Sequence, residues 1–227
     1  MEADARLHCG KEIPILNPVM PLTRERFQAG LKILIARDRD LARVVERCGP
    51  PPMWARRPSF ATLVRIILEQ QVSLASAHAV YQRLTLVVSP FSAARFRQID
   101  PTLIQQAGLT RQKRAYCFHL AEAIAQKHLC LGRLQRLADD DVRQRLMQVK
   151  GIGRWTADIY LLMALRRPDI WPRGDLALKA ALQKVKHLPE LPTDTAFEAM
   201  GRPWRPWRAI AARILWHAYL SARNGHA

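Results

Sequence analysis

The chain has 227 residues, 49% of them hydrophobic and 24% charged, which is a globular composition with room for one large domain or two small ones. Its outlier is a net charge of +17, with 36 Lys and Arg against 19 Asp and Glu; 28 of the 36 are arginines, so the surface suits polyanions and bidentate phosphate contacts, nucleic acid foremost. Cys9, Cys48, Cys117 and Cys130 form no CxxC pair, which excludes the usual zinc and iron–sulfur motifs, and neither a signal peptide nor an apolar run of about 18 residues is present, so a soluble intracellular protein with free thiols is expected.

Residues 1–21, ending LNPVMP, carry three prolines and little periodicity and are expected to form an irregular arm. Thr23 is the N-cap candidate for RERFQAGLKILIARD, in which Phe27, Leu31, Leu34 and Ile35 recur at helical spacing. A shorter helix over 40–48 stops at Gly49 and Pro50, and Pro50, Pro51, Pro52 and Pro58 mark a break in which Trp54 reads as a packing aromatic. From Ser59, FATLVRIILEQQVSLASAHAVYQRL is helical but interrupted by Glu69, Gln70 and Gln71. Ser73 can cap a second helix, which would put Gln71 at an exposed corner; one continuous helix with a polar face remains the alternative.

Asp100 at N-cap with Pro101 behind it opens the next helix, Gly108 ends it, and Thr110 caps RQKRAYCFHLAEAIAQKH. Asp139, Asp140 and Asp141 precede VRQRLMQV, where they complement the helix dipole better than they suggest a metal site. The central stretch is KGIGR, Lys150 to Arg154. Gly151 and Gly153 permit a sharp reversal, Ile152 can plug between the flanking helices, and the first amides of TADIYLLMAL make an anion site suited to a backbone phosphate. A plain αα-hairpin with a glycine turn is the other reading. Asp175, in PRGD, is the N-cap candidate for LALKAAL; Trp204 and Trp207 precede a final amphipathic helix, inside which Trp216 reads as routine core. With no strand alternation, the fold class is all-α, of eight to ten short helices.

The blocks LEQQVSLASA, AGLTRQKRAY, LMQVKGIGRWTADIYLLMAL, WPRGDLALKAAL and WRPWRAIAARILWHAYL occur in this order. Together they resemble the helix-hairpin-helix (Gly/Pro-Asp) DNA glycosylases, most of all the 3-methyladenine DNA glycosylase II branch. The resemblance implies two helical lobes with an active-site cleft between them and no β-rich N-terminal domain, the stretch before residue 58 being too short for one. Residues 1–57 would pack with the C-terminal lobe, 58–168 would form the lobe with the hairpin, and 169–227 would carry the catalytic loop and last helix. It further implies that Asp175 is the catalytic carboxylate, that Gly151 and Gly153 amides with Thr156 hold a phosphate, and that the carbonyls of Met147, Val149 and Ile152 hold Na⁺ or K⁺. Gln71 matches the wedge that enters the duplex, and Trp155 and Trp207 match aromatics of the base pocket. Relatives that also cut the strand carry a lysine where this chain has Trp155, and Lys150 precedes the hairpin, so the resemblance implies a monofunctional enzyme. Ile159 stands where some relatives place an aromatic residue.

The chemistry suits these residue types. Breaking an N-glycosidic bond builds positive charge on the sugar, which a carboxylate stabilises. Extruding the base costs a few kcal/mol and leaves a gap to be filled. Bases alkylated on ring nitrogens are cationic, so tryptophan faces attract them by about 0.5 to 2 kcal/mol per contact. A monomeric enzyme that excises 3-methyladenine or 7-methylguanine from double-stranded DNA in base excision repair, with no required cofactor, is therefore expected. The alternatives are the same scaffold acting on hypoxanthine, etheno-adenine or uracil, and a non-catalytic helix-hairpin-helix DNA-binding protein.

Overall fold

The structure is a computed structural model that describes residues 20–223, so most of the arm expected over residues 1–21 lies outside the described residues. These residues form thirteen α-helices and one 3-10 turn, with no strand among them. The count exceeds eight to ten because helices such as α5 (Ala93–Gln98) and α8 (Leu131–Leu134) are too short to generate a periodic apolar pattern.

The described residues fold into two compact units, Arg56–Tyr160 and Met20–Ala55 together with 161–223. In the first, α3 (Phe60–Glu69) is apolar nearly all round and packs against α4 (Leu74–Val87) and α7 (Arg111–Ala125). Its Phe60 ring meets Phe96 of α5 edge-on at 5.6 Å, and Phe96 meets Phe118 at 5.1 Å, so aromatic edges close the packed layer. Ser59, Ser73, Asp100 and Thr110 cap α3, α4, α6 (Pro101–Gln106) and α7 by accepting a backbone N–H two or three residues ahead. Gly108 turns the chain at φ 95°. Of the two readings of residues 60–84, the interrupted one holds: α3 stops at Glu69, and Gln71 takes a left-handed φ of 55°. The helix-hairpin-helix follows, as α9 (Asp139–Met147), the turn, and α10 (Arg154–Met163). The division between the units at 160/161 falls inside α10.

The second unit is built on α13 (Arg208–Arg223), which packs on α11 (Leu176–Val185), α2 (Arg39–Cys48) and α1 (Arg24–Arg37). Arg213 of α13 is fully buried and donates to the carbonyls of Met53, Ala209 and Leu162 at 2.7 to 2.9 Å, which compensates the desolvation of its guanidinium. Asp38 caps α2 through the amides of Asp40 and Leu41, and its carboxylate also accepts from Lys186 Nζ and Trp204 Nε1 at 2.8 and 2.9 Å. Burial alone would raise the Asp38 carboxyl, but the hydrogen bonds from Lys186, Trp204 and Leu41 outweigh it and hold the group below its ordinary value. Trp204 thus belongs to the core of this unit, 5.4 Å from Trp171, which stacks on Phe197 of α12 (Asp194–Gly201) at 4.5 Å.

The expectation of four free thiols is corrected in part. Cys48 and Cys117 are free, Cys130 is disulfide-bonded, and Cys9 lies outside the described residues. Spacing along the chain excludes clustered motifs but says nothing about which distant positions the fold brings together. Burial pushes the free Cys117 thiol up to about 12, so it is a packed apolar side chain and not a nucleophile. No described helix is long and apolar enough to cross a membrane.

Candidate functional site

The hairpin of the first unit is closed by the Ile152 amide donating to the Val149 carbonyl at 3.0 Å. Val149 and Ile152 are buried, whereas Met147 and Lys150 are exposed. Gly151 has φ 95°, and a Cβ built on it would lie 2.1 Å from the Tyr116 ring, so both backbone angle and space demand glycine there. Gly153 is different: it is exposed, and a Cβ on it would meet nothing within 4 Å. Its carbonyl accepts from Ala157 N at 3.1 Å, which makes it the N-cap of α10, a cap without a side chain. The helix thus begins on an exposed glycine that has no side chain of its own to answer the first amides and the positive end of the dipole.

Buried charge fixes this helix start. Asp158, fully buried, accepts from Arg143 Nε of α9 at 2.6 Å and from Arg154 Nε at 3.2 Å. The carboxylate ties the two helices of the motif together and orients Arg154, nearly half of whose side chain stays in solvent beside the hairpin. Thr156 is only 1% exposed, and its hydroxyl accepts a 2.9 Å hydrogen bond from Gln70 Nε2. Gln71 itself is exposed at the α3–α4 corner, flanked by the exposed apolar side chains of Val72 and Leu74. Trp155 is half-buried in the first turn of α10, and Ile159, one turn on, is buried.

In the second unit Asp175 caps α11, accepting from Leu178 N at 2.8 Å through Oδ1. The same oxygen accepts from Trp216 Nε1 at 3.2 Å. Asp175 as a whole is 7% exposed, so a group with two specific donors sits at the edge of the unit's interior and not free in solvent. Leu176 beside it is 72% exposed. Trp207, by contrast, packs on α1: a Cβ on Gly30 would lie 2.6 Å from Ile210 Cδ1 and 2.8 Å from the Trp207 ring, so the small residue admits both side chains. Position in sequence suggested the reverse weighting of the two tryptophans. Trp216 lies mid-helix among apolar neighbours, and only the fold aims its N–H at an acid 41 residues away.

Gln70 and Lys113 bond to the hairpin and to the end of α3, contacts that the sequence did not signal. Gln70 carries no signal that separates it from Gln71, and Lys113 reads as one more cation in an excess of them. No group of His, Cys, Asp and Glu among the described residues is arranged to hold a metal ion.

Residues 64–206 match the model of the HhH-GPD superfamily base excision DNA repair proteins. The chain is 26% identical over 180 residues to Schizosaccharomyces pombe DNA-3-methyladenine glycosylase 1, covering 78% of this chain and 79% of that one. Other relatives are longer: this chain spans 65% of one from Bacillus subtilis, at 24% identity, and 57% of Escherichia coli DNA-3-methyladenine glycosylase 2, at 25%. Among solved structures, a DNA-3-methyladenine glycosidase from Bacillus halodurans superposes with a TM-score of 0.69 at 26% identity, covering 86% of this chain and 91% of that one. Since the superfamily match takes in more than half of the residues, the chain belongs to the HhH-GPD superfamily of base excision DNA repair proteins.

Proposed function

We propose that the protein is a monofunctional DNA glycosylase that flips alkylated bases of the 3-methyladenine and 7-methylguanine type out of duplex DNA and removes them by hydrolysis, leaving an abasic site. The observation that carries this reading is Asp175: a nearly buried carboxylate, oriented by the α11 amide and the Trp216 indole, in a family of base excision proteins. The names of the relatives, DNA-3-methyladenine glycosylases from yeast and bacteria, support the substrate class.

The first unit supplies the grip. Amides at the start of α10, with Arg154 held by Asp158, take a phosphate of the damaged strand, and Gln71 enters the stack where the base leaves. The carbonyls of Met147, Val149 and Ile152 suit a hard cation, since carbonyl oxygens are the ligands Na⁺ and K⁺ take; the Val149 oxygen, which accepts from Ile152 N, retains a second lone pair for it. A cation held there would supply positive charge to offset the charge of a phosphate. Trp155 offers an electron-rich face to a cationic base. The second unit supplies the charge: the Asp175 carboxylate stabilises the positive deoxyribose as the glycosidic bond lengthens, and the departing alkylated base, already cationic, needs no strong general acid. An indole at position 155 has no amine with which to attack the sugar, so the product is an intact strand. The enzyme acts as a monomer.

Incubation with methylated duplex DNA and chromatography of the released bases tests the reading. Release of 3-methyladenine without strand breakage is expected; release of deaminated bases alone, or of none, overturns it. DNA binding should weaken steeply with added salt, because phosphate contacts release counterions.

A further inference from the structure

Two side chains adjoining the corner and the hairpin have no role in the chemistry above, yet each spans a long stretch of sequence to reach them. Gln70 ends α3, and its Nε2 donates to the Gly151 carbonyl at 3.1 Å and to the Thr156 hydroxyl at 2.9 Å. A backbone carbonyl can only accept, so the amide has one workable orientation and the side chain cannot flip without losing a bond. Lys113 of α7 places Nζ 2.7 Å from the Leu68 carbonyl and 2.8 Å from the Gln70 carbonyl. These are orphan carbonyls at the C-terminal end of a helix, the end that carries partial negative charge. The ammonium satisfies both and cancels a field that would otherwise repel an approaching polyanion. Between these two tethers the chain turns through the left-handed Gln71 and leaves Gln71, Val72, Ser73 and Leu74 exposed.

We propose that Gln70 and Lys113 are positioning residues that hold the Gln71 corner in fixed register with the glycine hairpin, so that the side chain entering the duplex and the amides gripping the strand act as one body. The proposal rests on the glycosylase reading for its functional meaning, and all its contacts lie within one unit. Gln70 works through the corner and not on the substrate. A loose corner would still bind DNA through the hairpin and the basic surface, but it would lose part of the extrusion free energy each time it had to be ordered anew.

The test is a double-mutant cycle in single-turnover base release from methylated duplex DNA, using the full chain. Gln70→Ala should slow release about tenfold in the wild-type background and less than about twofold when Gln71 is already alanine, because a residue acting through the corner has nothing left to position. Gln70→Glu, similar in size but lacking an N–H for the Gly151 carbonyl, should match Gln70→Ala. Equal losses in both backgrounds would overturn the proposal, as they would mark Gln70 as a general stabiliser. Lys113→Met in the same two backgrounds carries the test if Gln70→Ala folds poorly. Should the wild type release no alkylated base, the glycosylase reading fails and amide hydrogen exchange decides the tether: exchange over residues 71–74 should rise about tenfold in Gln70→Ala while α7 stays protected, and unchanged exchange sinks it.

Discussion

Three helices of this molecule begin in three ways. The α10 helix starts on Gly153, exposed and without a side chain to cap it; α11 starts on Asp175, whose carboxylate answers the Leu178 amide and the Trp216 indole; α2 starts on Asp38, whose carboxylate answers two amides and is also met by Lys186. The backbone physics is the same at each, a set of unmet N–H groups with a positive dipole behind them. What differs is what answers it. In the function proposed above, the bare start takes an external anion, the carboxylate at the edge of the interior meets the sugar, and the carboxylate locked to a lysine is structural.

Exchanging the answers breaks the comparison in a measurable way. The largest effect is expected for Asp175→Asn: asparagine caps a helix about as well as aspartate, so the thermal midpoint should scarcely move, while base release should fall by about a hundredfold or more. A matching loss of stability and activity would reduce Asp175 to a cap. Gly151→Ala comes next, since it forces a side chain onto φ 95° and into the Tyr116 ring; unfolding in urea should show a loss of about 2 kcal/mol or more, and DNA affinity should drop with it. Trp216→Phe keeps a ring but removes the N–H, and should slow release about tenfold, the worth of about one hydrogen bond, at unchanged affinity for abasic DNA.

Lys186→Met addresses the structural cap. Because the Asp38 carboxyl is held below its ordinary value, its contribution to stability is present above the unfolded value of about 4 and is lost as pH falls through the folded one. The variant should therefore melt several degrees lower at pH 7, with the gap closing below about pH 4. The smallest change is Gly153→Asp, for which there is open space: it should add a few tenths of a kcal/mol of stability by capping α10 and weaken DNA binding by placing a carboxylate where the phosphate goes. Unchanged binding would remove that helix start from the interface.

Local signals made much of this legible. Thr23, Ser59, Ser73, Asp100, Thr110 and Asp175 read as caps because capping chemistry is decided within a few residues, and each does cap its helix. The choice at Gln71 needed the structure, because the apolar pattern of residues 60–84 fits both a broken and an unbroken helix. Long-range contacts had no sequence trace at all. The Trp216 bond to Asp175 crosses 41 residues and the Gln70 bond to Thr156 crosses 86, and the division between the units falls within α10, where no proline or glycine marks it.

The Tyr116 ring seated on Gly151 has a consequence for how this chain can diverge. Two positions 35 residues apart share one small volume, and the constraint runs one way. A chain that keeps the tyrosine is committed to glycine at 151, and loss of the ring would not release that position, because φ 95° and the Tyr116 Cβ at 2.6 Å still exclude a side chain. Position 116 can therefore change while the glycine stays, whereas glycine at 151 is held whatever stands at 116.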